Sequence, residues 1–316
     1  MIAELLRLAD LNDLTGHEAF RRRPVHWFVD LDEEGRFLSL SPTVASTEGG
    51  SRETALPRGK VYSVPRNYHM QVRDGSVQSV CTNQNNWLPD FLAGPVSEIF
   101  PRGADGRQSV QFSKRRKTWE LLFEAFNGLP DVPELRAVIK FLRSRPRFED
   151  LPLPIEDAKQ RSTVQKRLAE GDERVSFRVN GVNLLNVPDL KAWWTSRLRE
   201  ERRRVLDVLS PGADFYQHGQ GKLTEYSPVV FSSIPFVSYD KAPFMSYGLG
   251  KQTTPYRLET VEKAAAALNW LLENDSCHMR SSAGAGWRVC RTLGGQGFAH
   301  RPRFSLESLG LDSSRQ

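Results

Sequence analysis

The spacing of apolar residues changes along this chain, and that change limits what it can fold into. Up to about residue 110, short apolar runs are bounded by Gly, Pro, Asn and Asp. His26 to Leu40, H-W-F-V-D-L-D-E-E-G-R-F-L-S-L, is the clearest, with D-E-E-G reading as a turn between two strands. Residues 25–110 are therefore predicted to be mainly β. From Ser113 the apolar residues recur at intervals of three and four, in T-W-E-L-L-F-E-A-F-N-G (118–128) and V-P-E-L-R-A-V-I-K-F-L-R-S (132–144). These predict two amphipathic helices, the first closed by Asn127-Gly128 and the second opened by Pro133. Leu151-Pro152-Leu153-Pro154 interrupts the helical pattern, and a charged helical stretch follows. V-S-F-R-V-N-G (175–181) then alternates as a half-buried strand does, ending in an Asn-Gly turn, and a further helix begins at Pro188. Beyond Ser281 the chain is rich in Ser, Gly and Arg with little periodicity.

These readings predict an α+β fold. Its expected parts are a mainly β N-terminal region (1–112), a helical pair (113–150), a mixed α/β region (151–280) and an irregular tail (281–316). No internal repeat is visible. With 316 residues, 39% of them hydrophobic, the chain can bury the core of one large domain or of two ordinary ones. No run of about 18 apolar residues occurs. The N-terminal M-I-A-E-L-L-R-L-A-D lacks the charged, apolar and cleavage regions of a secretion signal, so a soluble cytoplasmic protein without membrane contact is expected. Cys81, Cys277 and Cys290 are too few and too scattered for a disulfide framework or half a zinc site.

The candidates for catalysis are weak. His17, His26, His69, His218, His278 and His300 are dispersed without the spacing of metal ligands. Asp30 and Asp32 form a strand-end pair able to hold a metal, but Glu33, Glu34 and Gly35 beside them also read as an ordinary hairpin turn, and the turn is preferred. Gly284-Ala285-Gly286 and Gly294-Gly295-Gln296-Gly297 lack the Lys-Ser/Thr of a phosphate-binding loop. No metal, cofactor or catalytic residue is therefore expected.

Recognition has better candidates. The net charge is a modest +6, but the cations cluster at Arg21 to Arg23, Lys114 to Lys117 and Arg197 to Arg204. Glu200 and Glu201 interleave with the last group, which reads mainly as a salt-bridged helix face. The other two clusters, Arg21, Arg22 and Arg23 and then Lys114, Arg115, Arg116 and Lys117, suit the phosphates of a nucleic acid. Four consecutive amides, Asn83, Gln84, Asn85 and Asn86, precede Trp87; amides pair with base edges, although such runs also form turns.

The segment Val237 to Gly248, V-S-Y-D-K-A-P-F-M-S-Y-G, sets two Ser-Tyr pairs around Lys241, an Ala-Pro break and a terminal Gly. It reads as an exposed loop ahead of a helix carrying A-L-N-W-L-L (267–272). This order resembles the large subunit of the type I-C CRISPR interference complex (Cascade). That family carries Val-Ser-Phe-Asn, Ala-Pro-Ala-Phe and Ser-Tyr-Gly, then Ala-Leu-Asn-Tyr-Leu-Leu. Three further blocks resemble it in the same order: N-N-W-L-P-D-F-L-A-G (85–94), F-L-R-S (141–144) and F-R-V-N-G followed by a Trp helix (177–194). The resemblance covers roughly residues 1–280. The chain departs from the pattern in Q-H-G-Q-G-K-L-T-E-Y-S-P (217–228), in keeping only Ser232-Ser233 of a Gly-Ala-Gln-Ser-Ser-Gly stretch, and in Asp240 where the family has Asn. Family members are about twice as long, so the expectation is an N-terminal portion, a truncated product or a short variant.

The resemblance implies a non-catalytic subunit of an RNA-guided surveillance complex. It would recognise the protospacer-adjacent motif in double-stranded DNA and help to open the duplex for guide pairing. The implied partners are the DNA target, the guide RNA, the backbone and guide-handle-capping subunits, and a helicase-nuclease recruited after target binding. Motif readout then falls to Asn83, Gln84, Asn85, Asn86, Ser232, Ser233 and Ser238, and wedging or stacking to Tyr239, Phe244 and Tyr247. Phosphate contact falls to the two cation clusters and Lys241. Two other classes stay open: a stand-alone DNA-processing enzyme with a metal at Asp30 and Asp32, and a scaffold that touches only protein.

Overall fold

The computed structural model describes residues 2–44, 59–79, 88–100, 110–144, 146, 161–162, 173–213, 220–224, 228–230, 234–235, 256–273, 279–280 and 287–288. Helices and strands are mixed, as the changing periods require. In chain order they are α1 (Ile2–Leu11), β1 (Phe20–Val25), β2 (Trp27–Leu31), β3 (Phe37–Pro42), β4 (Lys60–Pro65), β5 (Met70–Arg73), β6 (Ser76–Ser79), β7 (Ala93–Pro95) and α2 (Val96–Ile99). There follow α3 (Val110–Gly128), α4 (Pro133–Arg143), β8 (Arg174–Val179), β9 (Val182–Asn183), a 3-10 turn (Leu184–Asn186) and α5 (Pro188–Val208). Last come β10 (Pro211–Ala213), β11 (Gln220–Lys222), β12 (Val229–Val230), β13 (Ile234–Pro235), α6 (Leu258–Glu273), β14 (Met279–Arg280) and β15 (Trp287–Arg288). The Pro-rich break at 151–154 and, apart from Trp287–Arg288, the tail 281–316 lie outside the described residues.

The chain divides into two compact units, Glu18–Tyr68 with Thr82–Arg203, and Met1–His17 with His69–Cys81 and Arg204–Gln316. The first is organised by a sheet in the order β3-β2-β8-β7, with β9 added to β8. D-E-E-G is a turn as predicted: Gly35 N–H donates to Asp32 O (3.0 Å), and β2 and β3 pair antiparallel on either side. β2 and β8 run parallel, with Val29 opposite Phe177 and Asp30 opposite Arg178. Because side chains alternate along a strand, Trp27, Val29 and Leu31 share one face with Val175, Phe177 and Val179, and all six are buried. α4 covers that face. Phe141 meets Phe177 (6.4 Å between centroids), Phe37 (6.4 Å) and Phe100 (6.1 Å). The strand 174–179 is thus an inner strand paired on both sides, more buried than its alternation suggests. Asn180 and Gly181 both take positive φ and turn the chain into β9, as an Asn-Gly pair does.

In this unit the other aromatic cluster gathers on α5. Trp194 is buried, stacks on Phe91 (5.0 Å) and donates its indole N–H to Ala19 O (3.1 Å). Its neighbour Trp193 is half-buried at the cluster's rim. The buried stripe is therefore Leu190, Trp194, Leu198 and Val205.

The second unit is built around α6. Val261, Ala264, Ala265 and Ala267 are all nearly inaccessible, and α1 packs on this helix through its own buried residues, which include Leu5, Leu6 and Ala9. Gly16, at φ +85°, passes so close that a Cβ would lie 2.3 Å from the Glu262 carbonyl. Lys263 pairs with Asp10 at 3.0 Å. The hairpin β5–β6 turns through Asp74-Gly75, both at positive φ. Short antiparallel pairs β10–β11, β12–β13 and β14–β15 complete the unit.

Gly35 ties the β2–β3 turn to α4: at φ +79°, an added Cβ would lie 2.4 Å from Ala137 O. Gly181 has nearly the same φ, +81°, but open space around it. Gly35→Ala should therefore destabilise this unit by about 3 kcal/mol, against about 1 kcal/mol for Gly181→Ala. Urea unfolding midpoints of the two variants check this; equal destabilisation would mean that backbone strain alone, and not the close approach to α4, sets the cost.

Candidate nucleic-acid interface

The first predicted arginine cluster lies on β1, which pairs antiparallel with β4 in a two-stranded ribbon. Strand alternation separates three consecutive side chains onto two faces. Arg22 is exposed, opposite Ser63, which is also exposed. Arg21 and Arg23 are partly covered on the other face, where Arg21 lies 3.8 Å from Asp90 and Arg23 is opposite Tyr62.

The second cluster lies inside α3, which starts at Val110, before the Ser113 and Thr118 boundaries that the sequence suggests. Lys and Arg are good helix formers and extend it without difficulty. The helix sends these four side chains to different sides. Lys114 reaches Glu98 (3.6 Å), while Arg115 is buried and donates to Phe100 O (3.4 Å). Arg116 is exposed and pairs with Glu120 at 2.7 Å, and Lys117 is exposed. One turn on, Trp119 donates to Ile99 O (2.9 Å), so α3 holds the end of α2 through two side chains.

On α5 the arginines are largely in ion pairs, as their interleaved glutamates imply. Arg197 pairs with Glu124 and Glu201, and Arg203 with Glu200 (2.8 Å). Asn83, Gln84, Asn85, Asn86, Ser232, Ser233, Ser238, Tyr239, Lys241, Phe244 and Tyr247 lie outside the described residues.

Asp30 and Asp32 have separate partners. Asp32 sits in the turn, accepting from Arg36 N (2.8 Å) and Arg36 Nε (2.6 Å). Asp30 is buried in β2, accepting from Arg178 Nε (2.6 Å) and Nη2 (3.0 Å) and from the hydroxyls of Ser39 and Ser41. Burial alone would raise this carboxyl, but hydrogen bonds from Arg178, Ser41 and Ser39 outweigh it and hold Asp30 below the usual carboxylate range. Among the described residues no group of three or more His, Cys, Asp and Glu is placed to hold a metal ion. His26 is an acceptor within the fold: Nδ1 takes the Arg174 N–H (3.1 Å), and burial lowers its pKa.

A second pair of carboxylates escapes sequence reading. Asp90 accepts from Arg174 (2.6 Å) and lies near Arg21, beside the buried Glu98. Burial pushes the Glu98 carboxyl up to about 8; the Asp90 charge adds to the shift, while Lys114 and Arg174 oppose it. Glu98 Oε2 is buried with no hydrogen-bond partner among the described residues. Glu98 thus holds its proton at pH 7. Nothing local in V-S-E-I marks this residue as buried; the only signal is its apolar neighbourhood, Val96, Ile99 and Phe100.

A family model described as CRISPR-associated protein (Cas_Csd1) matches residues 7–287. No curated protein matches the chain. Among the described residues no helix is long and apolar enough to cross a membrane.

Glu98 gives the interface a pH signature. Its folded pKa lies above the unfolded value, so its contribution is fully present below about pH 4.5 and is lost as pH rises through about 8. Glu98→Gln should match the parent at pH 5 and exceed its stability at pH 9 by a few kcal/mol, on the order expected for a shift of this size. Urea melts across that range decide it, and a parent-like slope in the variant would assign the proton elsewhere.

Proposed function

The chain belongs to the CRISPR-associated Cas_Csd1 family, and on that premise we propose that it serves as the non-catalytic large subunit of a type I-C RNA-guided surveillance complex in antiviral defence. In this reading it recognises the protospacer-adjacent motif in double-stranded DNA in the cytoplasm and helps to part the strands, while the guide RNA reads the rest of the target. The observation that carries the reading is the extent of the family match: residues 7–287 include, in one stretch, every block that resembles the type I-C large subunit.

Each group of residues then has a physical task. Phosphates are gripped by exposed cations, first Arg22, Arg116 and Lys117, and by Lys241 within the segment Val237 to Gly248. The amides Asn83 to Asn86 and the hydroxyls of Ser232, Ser233 and Ser238 read base edges. Tyr239, Phe244 and Tyr247 enter the stack as the strands separate. Asp240 stands among these groups as a negative charge, which repels phosphate and narrows where the backbone can approach. The subunit's other contacts are with the complex's backbone and guide-handle-capping subunits, and it offers the loaded complex to a helicase-nuclease.

Duplex binding by the assembled complex, with and without this chain, over a library of flanking trinucleotides is the direct test. Motif preference should vanish without the chain and weaken when Asn83 to Asn86 are changed to Ala. Ala at Arg22, Arg116 or Lys117 should instead weaken binding to all sequences alike and lower the salt slope by about 0.9 for each phosphate no longer neutralised. Preference that persists without the chain would sink the reading.

A further inference from the structure

The sheet face opposite the aromatic core carries Phe28 and Asp30 from β2, Ser39 and Ser41 from β3, and Arg178 from β8. Asp30 accepts four hydrogen bonds there, and two of them hold the Nε and Nη2 edge of Arg178. Arg178 Nη1 has no partner among the described residues, and the side chain is 35% exposed. The guanidinium also lies over the Phe28 ring, 5.3 Å from its centroid. Clamped on one edge and packed on one face, it presents its remaining N–H groups outward at a fixed angle.

Tyr62 of the ribbon flanks the same Phe28, edge-on at 5.5 Å and 80°. Its hydroxyl makes no hydrogen bond among the described residues, and the ring is half-buried. Above the ring sits the ammonium of the exposed Lys60, 5.8 Å from the centroid. A lysine is an easily moved cover, since its flexible stem lets the charge swing aside to a nearby anion. Arg178 over Phe28 and Lys60 over Tyr62 therefore flank one edge-on aromatic pair from two sides. Among the described residues the carboxylate in this group is Asp30, buried and already paired, so Arg178, Lys60 and Asp30 together carry a net positive charge.

We propose that Arg178, Lys60 and Tyr62 together hold one nucleotide of an unpaired DNA strand, with its phosphate on the two cations, its base on the Tyr62 ring and Asp30 as the positioning residue for Arg178. This combination of a cationic border with an aromatic face is how single strands are bound without regard to sequence. An acidic protein segment would use the cations but not the ring. The proposal rests on the function above only for the source of the strand, which an opened duplex supplies.

The test uses the full chain and an oligothymidine probe carrying one 2-aminopurine, whose fluorescence falls when the base stacks. Tyr62→Leu should relieve the quench and weaken binding roughly tenfold or more, and Tyr62→Phe should restore both. Lys60→Ala should lower the salt slope by about 0.7. Asp30→Asn and Arg178→Lys should each lower it by a similar step, with no further loss in the double variant, in protein that still melts cooperatively. Binding unchanged in both Tyr62→Leu and Lys60→Ala overturns the proposal even if the Asp30 and Arg178 variants do not fold. Loss in Lys60→Ala without loss in Tyr62→Leu also overturns it, in favour of an acidic partner, and tighter binding of oligouridine overturns the choice of DNA. Motif preference is read separately on duplex in the assembled complex, so either reading can fail without the other.

Discussion

The parallel pairing of β2 with β8 is the interaction on which most of the first unit depends. It joins residues nearly half the chain apart, and its register sets both faces of the sheet at once. Sliding one strand by a single residue would turn Phe177 away from Phe141 and would separate Arg178 from Asp30. A buried carboxylate without its counter-ion is costly, more so than an apolar side chain of similar size without its neighbour. The ion pair therefore adds little net stability but discriminates sharply against wrong registers. The aromatic face supplies the driving force, and the charged face supplies the choice.

The same division runs through the other buried charges. Asp90 accepts from Arg174, which shares a face of β8 with Ser176 and Arg178, and thereby ties the loop before β7 to the sheet. Glu98 meets burial in the opposite way, by keeping its proton, so that it sits beside Asp90 without a second negative charge. Burial is the larger cause of the raised Glu98 pKa, the Asp90 charge adds to it, and Lys114 and Arg174 do not offset the two. Lys114, 3.6 Å from Glu98, opposes that shift without cancelling it.

Elements set by neighbouring residues were legible in the sequence. D-E-E-G, Asn180-Gly181 and Pro188 each determine their own backbone, and the turn, the hairpin and the start of α5 follow from them. Runs of charge were not legible as clusters, for a geometric reason. Consecutive residues point about 180° apart on a strand and about 100° apart on a helix. Arg21 to Arg23 are therefore split between two faces, and Lys114 to Lys117 are scattered around α3. The converse also holds: Arg178, Phe28, Tyr62 and Lys60 are linked in space, each to the next, from segments that show no common pattern. On α5 the choice between Trp193 and Trp194 as the buried residue depends on Phe91, which no helical period can reveal. The segment Val237 to Gly248 lies outside the described residues.

The parallel strand pair also sets a timetable for synthesis. β2 leaves the ribosome early, but Arg178 is made 148 residues after Asp30. At typical elongation rates that interval lasts about 7–30 s. Throughout it, one side of an apolar strand has no neighbour, and only the hairpin with β3 shields the other. The three polar residues Asp30, Ser39 and Ser41 on that hairpin give one of its faces hydrogen-bonding groups during the wait, and Arg178 joins their part-buried network only when β8 arrives.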